Sequence, residues 1–215
     1  MKNHASVLFL AAAIFLLSSC KKEEAPIPEN NTTSISVNDF YPLSPGSYWV
    51  YSKSYYDSSG TLISQMPEHD SVIVEKDTII NNLTYHKIKE YNFIGMNNVL
   101  IKFYRDSADC IVDDQGHIVF SIKNPGLVYR HIIEPDTIAY VDYVFNTTSD
   151  TVTVTCGTFI CNDYRGDVFR KSDNYSIAYP LHKYCSKGKG VIRKNEMFLN
   201  SLYTIQFDLI SYHIE

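Results

Sequence analysis

The sequence predicts an all-β fold, an antiparallel meander of about 10–12 strands closing as a curved sheet, half-barrel or barrel/sandwich. Three observations lead there. Aromatic and β-branched residues dominate from Phe40 onward, and the chain holds 17 tyrosines and 11 phenylalanines, side chains that suit a pleated, half-buried surface. Apolar and polar residues alternate in segment after segment, the spacing that turns one face of a strand inward. No long window combines a 3.6-residue period with capping residues, so no helix is expected.

The elements follow in order. Pro42-Leu43-Ser44-Pro45-Gly46 reads as a turn that leads into a first strand from Tyr48 to Tyr55. Asp57-Ser58-Ser59-Gly60 turns the chain again. Val72 to Ile80 and Leu83 to Phe93 form a hairpin across Asn81-Asn82, because asparagine tolerates the left-handed backbone that a two-residue turn requires. Val99 to Arg105 is the next strand, and Asp113-Asp114-Gln115-Gly116 supplies a turn before the alternation of Ile118, Phe120 and Ile122. Val141, Tyr143 and Phe145 alternate likewise; Val152 and Val154 then lead to a turn at Cys156-Gly157 and a return strand from Phe159 to Tyr164. The last strand is the clearest: Ile205, Phe207 and Leu209 share one face while Thr204, Gln206 and Asp208 share the other, which describes one buried and one wet side.

Residues 1–19 have the three-part pattern of a secretory signal: Lys2, an apolar run from Val7 to Leu17, and small residues before Cys20. The run is too short to span a bilayer, which needs about 20 residues. Leu17-Ser18-Ser19-Cys20 resembles the lipobox of bacterial lipoproteins, which implies that the Cys20 sulfur carries diacylglycerol and that further acyl chains such as palmitate hold the chain on a membrane. Lys21-Lys22-Glu23-Glu24 resembles the signal that sends lipoproteins of the Bacteroidota to the cell surface, so an outer-membrane, surface-exposed location is expected, the periplasmic face being the alternative. Residues 20–36 are then the lipidated cysteine and a polar, proline-containing tether, and residues 37–215 form a single β domain.

Outside the cytoplasm the remaining cysteines, Cys110, Cys156, Cys161 and Cys185, favour disulfides. Three connectivities are open, and Cys161 with Cys185 is preferred because their segments are expected to be strand neighbours. The spacing of Cys156 and Cys161 suits zinc poorly, and no metal or cofactor is expected. The net charge is −5, one unit more negative once Lys2 leaves, so nucleic acid is not an expected partner. Arg165 to Lys194 is locally basic, which reads either as lysines protecting an exposed strand edge or as an anion-binding face.

Five triplets have the form Asp-Ser/Thr-aliphatic, placing Ser71, Thr78, Ser107, Thr137 and Thr151 after an aspartate. About one such match is expected at ordinary residue frequencies. The triplets resemble the O-glycosylation site of exported Bacteroidota proteins. They also fit turns in which an aspartate bonds the backbone ahead of a strand, and both readings stand.

Phe40-Tyr41-Pro42-Leu43-Ser44-Pro45-Gly46-Ser47-Tyr48-Trp49-Val50-Tyr51, Val152 to Phe159 and Lys187 to Glu196 together resemble an uncharacterised family of Bacteroidota lipoproteins. Thr155-Cys156 and Lys189 depart from that family's pattern. The resemblance implies an antiparallel sheet curved like that of lipoprotein carriers, and no activity. Read as structure alone, Gly46, Gly157 and Gly190 mark turns or bulges and Trp49, Phe159 and Val191 fill a core.

The histidines are scattered, with no nucleophile signature or phosphate loop, so the protein is expected not to be an enzyme. Three functions follow in order. The first is a non-catalytic surface module that binds a glycan or an envelope protein, with Tyr55, Tyr56, Tyr85 and Tyr91 as stacking candidates. The second is a carrier of an apolar or lipid ligand in a concave face lined by Phe103, Phe120, Phe145 and Phe207. The third, a hydrolase, would need a cleft with a histidine and a carboxylate in contact.

Overall fold

The computed structural model describes residues 35–91, 99–123, 129–132, 139–173, 176, 179–197 and 203–215. The signal, Cys20, the tether before Ile35 and Thr137 lie outside the described residues. Residues 35–215 make one unit.

The described chain begins with a 3₁₀ turn, Val37–Asp39, closed reciprocally: the Ser36 hydroxyl accepts from the Asn38 N–H at 3.3 Å, and the Asp39 carboxylate accepts from the Ser36 N–H at 3.2 Å. The strap continues through buried Phe40 and Leu43. Then come β1 (Tyr48–Tyr56), β2 (Leu62–Gln65), β3 (Asp70–Ile80), β4 (Leu83–Tyr91), β5 (Val99–Ser107), β6 (Cys110–Asp113), β7 (Ile118–Ser121), β8 (Tyr129–Ile132), β9 (Ala139–Val154), β10 (Gly157–Arg170), β11 (Leu181–Ser186), β12 (Gly190–Met197) and β13 (Thr204–His213).

These strands build a 13-stranded sheet in the order β7-β6-β5-β4-β3-β1-β13-β12-β11-β10-β9-β8, with β2 paired to the far half of β1. Strand pairing is antiparallel throughout the described residues. The meander is therefore split: the first long strand does not sit at an edge but lies at the centre, against the last. The β3–β4 hairpin turns at Asn81 and Asn82, both left-handed with φ of 50° and 62°, as their side chains permit.

The sheet curls until its two ends meet. Phe120 on β7 lies 5.9 Å from Phe145 of β9 and 4.7 Å from Tyr164 of β10, measured between ring centroids. These strands stand at opposite ends of the order, so ring packing, not a ladder, draws the barrel nearly shut. The strap crosses the inner face, with Phe40 edge-on to Phe145 at 5.1 Å and Tyr41 against Phe120 at 5.7 Å. On the central strands the inward-facing Ile192, Ile205, Phe207 and Leu209 are at most 1% exposed. Each large apolar side chain buried this way contributes about 1.5–3 kcal/mol.

Two of the motifs noted in the sequence turn out to be halves of one contact. The Trp49 indole N–H donates to the Lys189 carbonyl at 2.7 Å, and the Tyr51 hydroxyl donates to the Val191 carbonyl at 2.9 Å. Between them Gly190 has φ of +85°, and a β-carbon there would lie 3.1–3.3 Å from the indole. The turn needs a residue without a side chain both for its backbone and for its neighbour.

Two expectations are corrected, and one strand went unread. The two segments read around Phe145 and Val152 are one continuous strand, β9, bent by a bulge opposite Asn162–Tyr164. β6 has no alternation to betray it, since Cys110, Ile111 and Val112 are all buried. The preferred disulfide is not formed: all four cysteines of the domain are free thiols. β10 and β11 are indeed neighbours, but Cys185 stands opposite Asn162, one residue out of register from Cys161 and so away from the directly opposed position a cross-strand bond needs.

Candidate ligand-binding site inside the curved sheet

The inner face carries charge in the middle of its apolar register. Along β12 the inward series runs Ile192, Lys194, Glu196; along β11 it runs Lys183, Cys185. Paired positions place Tyr164, Lys183, Lys194, Phe207 and Lys53 in one row across β10, β11, β12, β13 and β1. Like charges directly opposite each other, as Lys183 and Lys194 are, repel. Carboxylates on neighbouring positions offset most of that repulsion. Lys53 pairs with Asp70 at 2.5 Å, Lys102 with Glu90 at 2.9 Å, and Lys194 with Glu196 at 2.7 Å. Lys53 and Asp70 are both buried, 2% and 6% exposed.

Lys183 is the cation left over. Its ammonium lies 5.7 Å from the Tyr143 ring and 5.8 Å from the Tyr164 ring, and no carboxylate pairs with it among the described residues. The two rings stack at 4.8 Å and 3°. Gly166, directly opposite Tyr143, makes that stack possible: a β-carbon there would lie 2.6 Å from the Tyr143 ring and 2.6 Å from Val141.

Lys183 borders two neighbouring spaces. An inner cavity of about 180 Å³ lies under the strap, walled by Tyr41, Trp49, Tyr51, Val74, Ile88 and Tyr104 and reached by Glu90, Lys102, Lys194 and Glu196. A wider space of about 520 Å³ opens beside it toward Phe103, Asp113 and Gln115, and the two share Lys102, Tyr104, Val119 and Lys183. The Tyr41 and Tyr104 hydroxyls have no hydrogen-bond partner among the described residues.

The electrostatics follow from burial. It disfavours the ammonium of Lys183, and Lys194 adds to the effect, so its pKa falls to about 8. Burial raises Tyr41, Tyr51 and Tyr104, and lifts Tyr143 to about 12, so all four keep their protons. It also pushes the Cys185 thiol up, away from reactivity. Burial opposes ionisation of Glu196 as well, but Lys194, by charge and hydrogen bond, with Lys183 and Lys102, holds its carboxyl below the usual range.

The residues singled out in the sequence fall elsewhere. Phe120 and Phe145 pack on each other and Phe207 lies beneath Lys194, 4.5 Å from its ammonium; of the four phenylalanines expected to line an apolar cavity only Phe103 borders the space described here. The cavity is tyrosine- and ion-pair-lined instead. Tyr85 is core, 5% exposed, with Arg105 over its ring at 5.7 Å, while Tyr55, Tyr56 and Tyr91 are half-buried. Thr151 is exposed and Ser71, Thr78 and Ser107 are half-buried, so none of these hydroxyls points fully into the core. Asp70, which precedes Ser71, is occupied by Lys53. The basic run of the C-terminal third is not a face: Lys183 and Lys194 turn inward, while Arg165, Arg170, Lys187 and Arg193 pair with Asp167, Asp173, Asp39 and Asp208.

The opposite face of β11–β13 holds a cleft of about 400 Å³ bordered by Thr151, His182, Tyr184, Arg193 and Asn195. There His182 Nδ1 meets the Asp163 carboxylate at 2.8 Å. No hydroxyl or thiol bonds to His182 among the described residues.

No family model and no curated protein matches the chain. Two crystal structures resemble it in part. One, from Bacteroides fragilis, is of a protein predicted to be exported and has a YmcC-like fold; it is 13% identical, with a TM-score of 0.46 over 81% of this chain and 98% of that one. The other, from Parabacteroides distasonis, is of a protein predicted to be a lipoprotein; it is 14% identical, with a TM-score of 0.41 over 81% of this chain and 99% of that one.

Proposed function

We propose that this chain is a non-catalytic cell-envelope lipoprotein, tethered through Cys20 to the outer membrane and exposed at the surface, whose β domain binds a small ligand within the curve of its sheet. The lipobox-like stretch supports the address. One observation carries the binding role: charged side chains occupy apolar-register positions around a cavity under the strap. A barrel interior that served only stability would fill with apolar side chains, because buried ion pairs stabilise little or not at all against such replacements. Charges retained there at a cost to stability are the mark of a site.

The test is the mass of the full chain purified from its own host, recorded under native and then denaturing conditions. A mass lost on denaturation is the bound ligand and identifies it by difference. Equal masses from several growth conditions would sink the reading. Mass in excess of the polypeptide and its lipid in both spectra would count glycans on Ser71, Thr78, Ser107, Thr137 or Thr151. A second reading has one observation in its favour, the His182–Asp163 contact in the outer cleft, which is the arrangement a hydrolase would use to orient a general base. Turnover of ester or amide substrates that disappears in His182→Ala would establish it.

A further inference from the structure

Resting on the binding role just proposed, we infer that the interior site takes a monoanionic amphiphile, a single carboxylate on a compact apolar body, with its head on the ammonium of Lys183. The charge count decides the sign. Around the inner cavity three lysines, Lys102, Lys183 and Lys194, meet two carboxylates, Glu90 and Glu196, and each carboxylate is already within ion-pair distance of one lysine. One positive charge is left, that of Lys183, which with Lys102 borders both spaces. A carboxylate there would gain a charge-assisted hydrogen bond in surroundings poor in water. The unpartnered hydroxyls of Tyr41 and Tyr104 are further donors.

The neighbours set the rest of the chemistry. Glu90 and Glu196 border the same cavity, and Asp113 and Asp114 border the outer space, so a dianion such as a phosphate monoester would be repelled where a carboxylate is tolerated. The remaining wall, Trp49, Val72, Val74, Ile88 and Val191, is apolar, which fits a hydrocarbon or ring body and not a sugar. Lys183 itself is set by groups on every strand around it: Lys194 and Glu196 on β12, Lys102 and Tyr104 on β5, Glu90 on β4, Tyr51 on β1, Tyr143 on β9, Tyr164 on β10, Cys185 on its own strand, and Tyr41 on the strap. Tyr41, Tyr51, Tyr104, Tyr143 and the Cys185 thiol keep their protons and Glu196 keeps its charge, while Lys183, lowered to about 8 by burial, titrates between neutrality and mild alkali.

The experiment is calorimetric titration of the full chain carrying Cys20→Ser with three probes of equal length: octanoate, octan-1-ol and octylamine. At about pH 7 octanoate is expected to bind about ten-fold or more tighter than octan-1-ol, and octylamine not at all. Lys183→Met should abolish the preference for octanoate while leaving octan-1-ol binding in place, and Lys183→Arg should retain it. Raising the pH from about 7 to about 9.5 should weaken octanoate and leave octan-1-ol unchanged. Equal affinity for octanoate and octan-1-ol, or a preference that survives Lys183→Met, overturns the assignment of the head group while the cavity remains a binding site. If no probe binds and native mass spectra also show no ligand, the binding role itself falls.

Discussion

Lys53 and Asp70 form an ion pair almost wholly out of water, 2% and 6% exposed, and their worth depends on how they are removed. Asp70→Asn or Lys53→Met alone strands a charge in the core and should destabilise by about 3–5 kcal/mol, whereas the double change Lys53→Met with Asp70→Leu should be near neutral; urea unfolding of the three variants measures the difference. Lys183 behaves in the opposite way, because it lacks a carboxylate to lose. Its pKa is depressed in the folded chain, to about 8 from 10.5. Below about pH 8 the unfolded and folded chains both carry the proton, and the folded state bears the full cost of the buried charge. As pH rises from the folded to the unfolded value, the folded chain releases the proton first and that cost is relieved. Lys183→Met should therefore be more stable than the parent at neutral pH, by about 1–3 kcal/mol, with an advantage that shrinks as pH climbs past about 8 in paired thermal melts. Such a site is hard to read in sequence. Counting apolar residues marks Ile205, Phe207 and Leu209 plainly, but a lysine in an inward register looks the same as one on a wet face until the strand's direction is known. The signal was present in Ile192-Arg193-Lys194-Asn195-Glu196, where alternation continues from an isoleucine into a lysine and a glutamate.

At the scale of strands and turns, the hairpin at Asn81-Asn82 and the one-sided strand β13 were legible because local chemistry alone decides them. β6 and the long β9 were not: β6 is short and buried at three successive positions, and β9 bends at a bulge where Asn146, Thr147 and Thr148 stand opposite Asp163 alone, which breaks its alternation midway. The glycines of the β11–β12 turn offer a direct check. Gly188 and Gly190 both have positive φ, +70° and +85°, but nothing lies within 4 Å of a β-carbon at Gly188, whereas Trp49 crowds one at Gly190. Gly188→Ala should cost about 1 kcal/mol, the price of the backbone conformation. Gly190→Ala should cost about 1–3 kcal/mol more through overpacking against the indole. Trp49 is the one tryptophan of the chain, so its emission during denaturation reports both values and should shift in the folded state of Gly190→Ala alone.

Across the whole molecule, the pairing of β1 with β13 ties the two halves of the meander together, and the strap of Val37, Phe40 and Leu43 closes the curve from inside. No local pattern foretold this. Contacts between residues far apart in sequence, such as Tyr51 with Val191, arise only when the sheet is assembled, and the cavity is a product of that assembly. The proposed membrane address, by contrast, rests on a local stretch of sequence; on that proposal Cys20→Ala should abolish incorporation of labelled palmitate and release the chain from the membrane fraction. The most direct test of the account is a crystal structure of the protein purified from its own host without added ligand. The expected result is density for a compact molecule between Tyr41, Trp49 and Tyr104, with one end about 3 Å from Lys183 Nζ. An interior filled by its own side chains, with Lys183 neutralised by a carboxylate of the protein, would contradict it.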